Sequence, residues 1–214
     1  MTALRTYWLN EYAAALETTG PLSLENQRRF WHLSEQLRSR PGVREVVPGM
    51  NNLSVELDPG APDPDGLLEQ LKSAWHACSA INLPTRRIDI PVRYGGTDGC
   101  DLDEVARHTG LSAAEVIRLH SSALYTVYFL GFLPGFAYLG GLDPRLATPR
   151  HRTPRPLVPA GSVGIGGDQT GIYPMASPGG WRLIGRTERT LFDPAATPPV
   201  LLRPGDTVRF VDAS

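Results

Sequence analysis

Lysine is nearly missing from this sequence: Lys72 stands alone against twenty arginines in 214 residues. Leu71, not glycine, directly precedes it, so the G-x-x-x-x-G-K phosphate-binding P-loop is excluded. Cationic ligand contacts fall to arginine, whose planar fork matches carboxylate and phosphate. Cysteine is scarce too. Cys78 and Cys100 have no C-x-x-C spacing, and two free thiols in a reducing, cytoplasmic compartment are expected. None of the five histidines has zinc-ligand spacing, so no metal site is expected. A formal net charge of −1 supplies no global field toward nucleic acid or an anionic membrane. The N-terminus lacks a cationic segment followed by an apolar one, and Glu11 interrupts it early, so no signal peptide is expected. The uncharged stretch from Ser121 to Leu142 is long enough for a bilayer, but Gly131, Pro134, Gly135, Gly140 and Gly141 break it. A buried strand followed by an uncharged loop is expected there, not a membrane span.

What is present reads as two halves, residues 1–85 and 86–214. In the first, Leu4 to Leu9 has strand character. Ser23 caps a helix with Phe30, Leu33 and Leu37 on one face, which Pro41-Gly42 ends. Val43 to Val47 and Leu53 to Leu57 are short strands around Pro48-Gly49, and Asp58 to Gly66 is a loop. A second helix carries Leu68, Leu71, Trp75 and Cys78 at helical spacing, and a strand follows near Ile88 to Val92. That order, βαββαβ, predicts a split βαβ, ferredoxin-like layer.

Two capped helices open the second half: Asp101 with Glu104, stopped by Gly110, and Ser112 with Glu115, ending near His120. Residues 131–180 then hold 11 of the 22 glycines and 8 of the 20 prolines, which excludes long helices. Short apolar runs recur at Leu124–Leu130, Leu157–Val158, Val163–Ile165, Trp181–Ile184, Val200–Leu202 and Val208–Val211. Such punctuation predicts a closed or nearly closed β-barrel with elaborate loops. The overall class is α+β.

The glycine run Gly161 to Gly167 does not make a dinucleotide fingerprint, because Gln169 stands where its last glycine belongs. Ala160-Gly161-Ser162-Val163-Gly164 approaches a hydrolase nucleophile elbow, but that elbow needs a helix after its serine, and glycines follow Ser162. From Pro144 to Leu191 seven arginines face two acids, Asp168 and Glu188. A basic, glycine-rich, aromatic-lined loop surface suits a small carboxylate or phosphorylated ligand. The alternative is that glycine and proline turn barrel corners while the arginines are solvated.

The ordered peptides GFLPGFAYL (131–139), PR (149–150), PR (154–155), PAGSVGI (159–165), QTGIYP (169–174), SPGGW (177–181), GRT (185–187) and PGD (204–206) narrow the choice. From about His120 to Phe210 the chain resembles the family that holds the B subunit of 5-oxoprolinase (PxpB), KipI and allophanate hydrolase subunit 1. The resemblance implies a ferredoxin-like part, a cyclophilin-like barrel, a partner C subunit with a related barrel, and a further A subunit. Together such subunits use ATP to open 5-oxoproline to glutamate, and phosphorylation of the lactam oxygen would activate the ring. Other members suggest two alternatives: inhibition of a histidine kinase without catalysis, or a carboxyltransferase role in urea and allophanate metabolism. Arg150, Arg155 and Arg186 are the candidates for gripping a carboxylate or phosphoryl group, and His120 is a candidate proton carrier. Phe132, Pro134, Gly135, Tyr138, Ser162, Val163, Gly164, Gln169, Thr170, Tyr173, Ser177, Gly179, Gly180 and Trp181 are candidate lining residues, with Phe136 beside them.

Overall fold

The computed structural model describes residues 3–61, 66–80 and 85–214, and the expected loop at 58–66 lies partly outside them. The chain divides into two compact units, residues 1–83 and 84–214.

The first unit is a four-stranded antiparallel sheet in the order β1-β2-β4-β3, formed by β1 (Leu4–Asn10), β2 (Ala13–Thr18), β3 (Val43–Pro48) and β4 (Asn52–Leu57). Helices α1 (Leu24–Arg38) and α2 (Leu67–Ala77) complete it. Ser23 Oγ accepts the Asn26 N–H and starts α1. Phe30, Leu33 and Leu37 then meet Leu16, Leu53 and Val55 of the sheet and Leu71 and Trp75 of α2. Buried Gln27 donates from Nε2 to the Gly49 carbonyl at 3.0 Å, tying α1 to the β3–β4 turn.

The wiring corrects the expected βαββαβ order. Strand β2 was not expected, and the run near Ile88 to Val92 belongs to the barrel. Here β4 lies between the parallel pair β2 and β3, and β2 lies between the parallel pair β1 and β4. One split βαβ unit is therefore complete, β2-α1-β3 around β4, whereas the place beside β2 expected for the last strand is taken by β1 from the front of the chain. The Ala-rich stretch of β2, Ala13-Ala14-Ala15, has weak strand propensity and gains its conformation from pairing on both sides.

The second unit is a closed barrel in the order β10-β7-β6-β13-β5-β12-β9, of the cyclophilin-like kind expected. Its strands are β5 (Arg87–Tyr94), β6 (Tyr125–Leu130), β7 (Ala137–Gly140), β9 (Ser162–Gly166), β10 (Gln169–Ile172), β12 (Arg182–Arg186) and β13 (Thr207–Asp212). All neighbours are antiparallel except β13 and β5. A two-stranded sheet of β8 (Arg155–Val158) and β11 (Ser177–Gly179) accompanies it. The uncharged stretch 121–142 is thus mostly two barrel staves and their turn, and no described helix is long and apolar enough to cross a membrane. The expected run Val200–Leu202 is not a strand; Val200 forms only an isolated bridge to Phe192.

Helices α3 (Leu102–Thr109) and α4 (Ala113–Ser122) join the barrel core through Leu102, Val105, Val116 and Leu119. Gly110 ends α3 in the left-handed region at φ 71°, and Ser112 Oγ caps α4 through the Glu115 N–H. The Pro204-Gly205-Asp206 peptide is a structural corner. The buried Asp206 carboxylate accepts Arg86 Nε at 3.0 Å and the Arg203 N–H at 2.8 Å, joining the starts of β5 and β13.

His120 lies wholly inside this core, stacked on Phe210 at 4.4 Å. Thr170 Oγ1 donates to the Gly164 carbonyl at 3.0 Å, so it accepts from His120 Nε2 at 2.9 Å. His120 Nδ1 in turn accepts from Tyr94 Oη at 2.7 Å. This network assigns a neutral imidazole with its proton on Nε2. Burial pushes its pKa down to about 3, so His120 fastens α4 to the barrel and is withdrawn as a proton carrier.

Because the folded imidazole resists protonation, the unfolded chain binds more protons between its own pKa of roughly 6.5 and the folded value, and stability falls as pH drops through that window. Urea unfolding at pH 7 and pH 5 is expected to show a loss of about 2 kcal/mol from this group. A His120→Asn variant, less stable at pH 7, should lack that component; an unchanged pH slope would remove His120 as its source.

Candidate functional site

The dense peptides gather on the outside of the barrel around a cavity of about 290 Å³. Phe132, Phe136, Tyr138, Tyr173 and Trp181 form its aromatic walls, and Arg150, Pro154, Pro178, Gly179 and Gly180 complete it. Its size is at the lower end of ligand pockets, and an aromatic lining with few polar groups is typical of them.

Glycine makes room for the rings. A Cβ on Gly166 would lie 2.6 Å from the Trp181 indole, and one on Gly179 would lie 2.5 Å from Tyr173 Oη. The rings then brace one another edge to face: Phe136 meets Tyr173 at 5.4 Å, Trp181 at 5.5 Å and Tyr138 at 5.0 Å. Beneath them Phe136, Val158, Tyr173, Trp181 and Leu183 make a small hydrophobic cluster of their own. Phe132 differs from its neighbours. It is 60% exposed and holds φ 67°, a left-handed backbone that costs a non-glycine residue about 1–2 kcal/mol. An exposed aromatic ring held in strain at a cavity mouth fits a contact surface for a ligand.

The charged groups divide sharply. Arg150 lies with Cζ 5.5 Å from the Trp181 ring centre, and its guanidinium has no carboxylate partner among the described residues. It is the free fork of the cavity. Arg155 instead donates to Asp101 Oδ1 at 2.6 Å. The Asp101 carboxylate also accepts the Leu183 N–H at 2.7 Å and His151 Nε2 at 3.3 Å. Burial favours the neutral acid, but the hydrogen bonds from Arg155, Leu183 and His151 outweigh it and hold the carboxyl below its ordinary value. Asp101 therefore does not cap α3 with its side chain as expected; stronger donors take the carboxylate.

His151 Nδ1 accepts from Arg182 Nη1 at 2.9 Å, and Arg182 also pairs with Glu104 at 2.6 Å. Ligand atoms of Asp101, Glu104 and His151 converge within 4.8 Å. Two guanidiniums interleave with them, so the cluster is a charge-balanced network and is poorly suited to a cation. It holds the segment that carries Arg150: Arg182 Nε donates to the Pro149 carbonyl at 3.0 Å, and the His151 N–H to the Gly180 carbonyl at 2.7 Å.

The remaining candidates scatter. Arg186 is outside the aromatic cavity, with Nε on the Ala160 carbonyl at 2.9 Å. Ser162, Val163 and Gly164 are buried in β9, and Thr170 is buried beside His120. Gln169 starts β10, Ser177 pairs with Val158, and Pro134 and Gly135 shape the turn that presents Phe132 and Phe136. Apart from Arg186, these residues build the frame and not the wall of the aromatic cavity. Sequence reasoning assigned no role to Pro154, Pro178 or His151. The prolines sit inside the quoted peptides, but His151 and Asp101 are joined only through space. Cys78 and Cys100 are both free.

The fold is that of a carboxyltransferase-type domain, with the aromatic cavity on the outside of its barrel. The chain belongs to the family of the carboxyltransferase domain, subdomain C and D, which matches residues 4–202. It is 52% identical to the B subunit of 5-oxoprolinase from Escherichia coli O157:H7, over 99% of this chain and 97% of that protein. The protein of the same name from Bacillus subtilis is 57% identical over 81% of this chain and 77% of its own. The crystal structure of TTHA0988 superposes with a TM-score of 0.79 at 42% identity; this chain is covered over 99% but spans only 40% of that longer chain.

Asp101→Asn is expected to destabilise the protein by about 3 kcal/mol, because it leaves Arg155 and the Leu183 amide with a weaker acceptor in a buried place. Thermal or urea unfolding at neutral pH measures this. A change within error would mean that the ion network is not what holds the cavity rim.

Proposed function

We propose that this chain is the B subunit of an ATP-dependent 5-oxoprolinase, a cytoplasmic enzyme in which it acts with a C and an A subunit to open 5-oxoproline to glutamate. The observation that carries this reading is similarity along essentially the whole chain to proteins of that name. The geometry of the aromatic cavity supports it. 5-Oxoproline is a small, flat ring with a carboxylate at one end and a lactam carbonyl at the other. Arg150 offers a fork for the carboxylate, and the ring faces of Trp181 and Tyr173 offer apolar walls for the methylenes. Burial raises the pKa of Tyr173, keeping its hydroxyl protonated. Its own proton is left to donate to the lactam oxygen. Binding there orients the carbonyl; energy for opening a stable amide comes from ATP used by the complex. Arg150, Tyr173 and Trp181 are binding residues in this reading, and no general base is assigned.

Release of ADP dependent on 5-oxoproline, from the purified A and C subunits with and without this chain, tests the reading. Turnover is expected only when the chain is present. Arg150→Ala is expected to raise KM for 5-oxoproline at least tenfold with an unaltered melting temperature, and Arg150→Lys to recover part of it. A complete assembly that binds but does not turn over 5-oxoproline would contradict the proposal and turn attention to kinase inhibition or carboxyl transfer.

A further inference from the structure

A second concave surface lies beyond the aromatic cavity and has a different chemistry. Two cavities of about 370 and 360 Å³ adjoin, sharing Arg93, Arg186, Thr187, Glu188 and Arg189. Arg93 is occupied, held by Asp98 at 2.9 Å and Glu188 at 2.7 Å. Arg186 and Arg189 have no carboxylate partner among the described residues. Arg186 is steadied through Nε by the Ala160 carbonyl, which leaves its two terminal nitrogens unassigned. The Arg189 N–H is held by Thr187 Oγ1 at 3.2 Å, which fixes the backbone from which its side chain projects.

The floor is built for close approach. Gly161 turns at φ 79°, and a Cβ there would lie 2.1 Å from the Thr187 carbonyl oxygen, so the Ala160-Gly161 turn seats directly on the segment carrying Arg186 and Arg189. The Gly161 and Thr187 amides are both used in that seam, by the Tyr173 and Gly161 carbonyls. Anion recognition here must therefore come from side chains. Two free guanidiniums three residues apart, along an elongated groove, match an anion with charge spread over several groups better than a single carboxylate.

We propose that this groove binds the polyphosphate of a nucleotide, with Arg186 and Arg189 as its principal contacts. Its place in the fold suits that role: Tyr173 lines the aromatic cavity, and the next residue, Pro174, lines the groove. The choice of nucleotide rests on the ATP-dependent reading above, whereas binding of polyphosphate to the groove can be measured directly, with or without turnover.

Calorimetric titration of the full chain, and of its assembled complex, with ATP, ADP, AMP and inorganic triphosphate tests the site. ATP and triphosphate are expected to bind at least tenfold more tightly than AMP. Arg189→Ala, which breaks no ion pair among the described residues, is expected to weaken ATP binding about tenfold, and Arg186→Ala similarly. Arg145→Ala, whose partner Asp143 lies elsewhere, should leave it unchanged. No binding to chain or complex, or equal binding by wild type and an Arg186→Ala/Arg189→Ala double variant of unaltered melting temperature, would overturn the proposal. Turnover separates it from the functional reading: normal 5-oxoproline-dependent ADP release by the double variant sinks the groove alone. Groove-dependent ATP binding in a complex inert toward 5-oxoproline upholds the groove while the substrate assignment fails.

Discussion

A single buried carboxylate, Asp101, fixes how the outer surface of the barrel is arranged. Its backbone N–H donates to the Leu183 carbonyl at 2.8 Å and its side chain accepts the Leu183 N–H at 2.7 Å, so α3 is clamped to β12 from both directions. The same carboxylate receives Arg155 at the start of β8 and His151 from the preceding loop. Three segments far apart in sequence are thereby held around one charge. A buried carboxylate without such partners would be protonated or would unfold its surroundings. The network thus requires Arg155 and His151 to stay put, and through them Arg150 remains at the rim of the aromatic cavity.

The glycine-rich peptides are the counterpart of this clamp. They leave gaps in the barrel surface where aromatic rings lie flat against the backbone. Trp181 covers Gly166, and Tyr173 covers Gly179. A cavity wall of rings needs a floor without side chains, and this explains why the glycines and the aromatics occur together in the same short stretches. The glycines serve two structural ends. Some glycines turn corners, as Gly135 and Gly161 do with positive φ, and others make space. The arginines likewise split: Arg155 and Arg182 are structural, while Arg150, Arg186 and Arg189 line the concave surfaces.

Much of this was legible residue by residue. Helical periodicity and the Ser23 and Ser112 caps located α1 and α4, and the density of glycine and proline after residue 130 announced a barrel. The strands β7, β10 and β11 were harder, because each is three or four residues long and conforms through its ladder partner more than through its own propensity. Asp101 was misread for a related reason. A helix cap is a local pattern, whereas its actual partners at 151, 155 and 183 carry no local signal. His120 shows the same limit: its spacing placed it at a helix end, but only the assembled barrel brings Tyr94 and Thr170 to its two nitrogens. Of the proposed site, the aromatic residues and Arg150 came from a resemblance of peptides, and their convergence is a property of the fold.

The assignment of the site stands on one point, that the aromatic cavity beside Arg150 receives the substrate. A crystal structure of the assembled complex grown with 5-oxoproline tests it most directly. The predicted result is the lactam ring between Trp181 and Tyr173, with its carboxylate on the Arg150 guanidinium. Density for 5-oxoproline at another place, with this cavity empty, would contradict it.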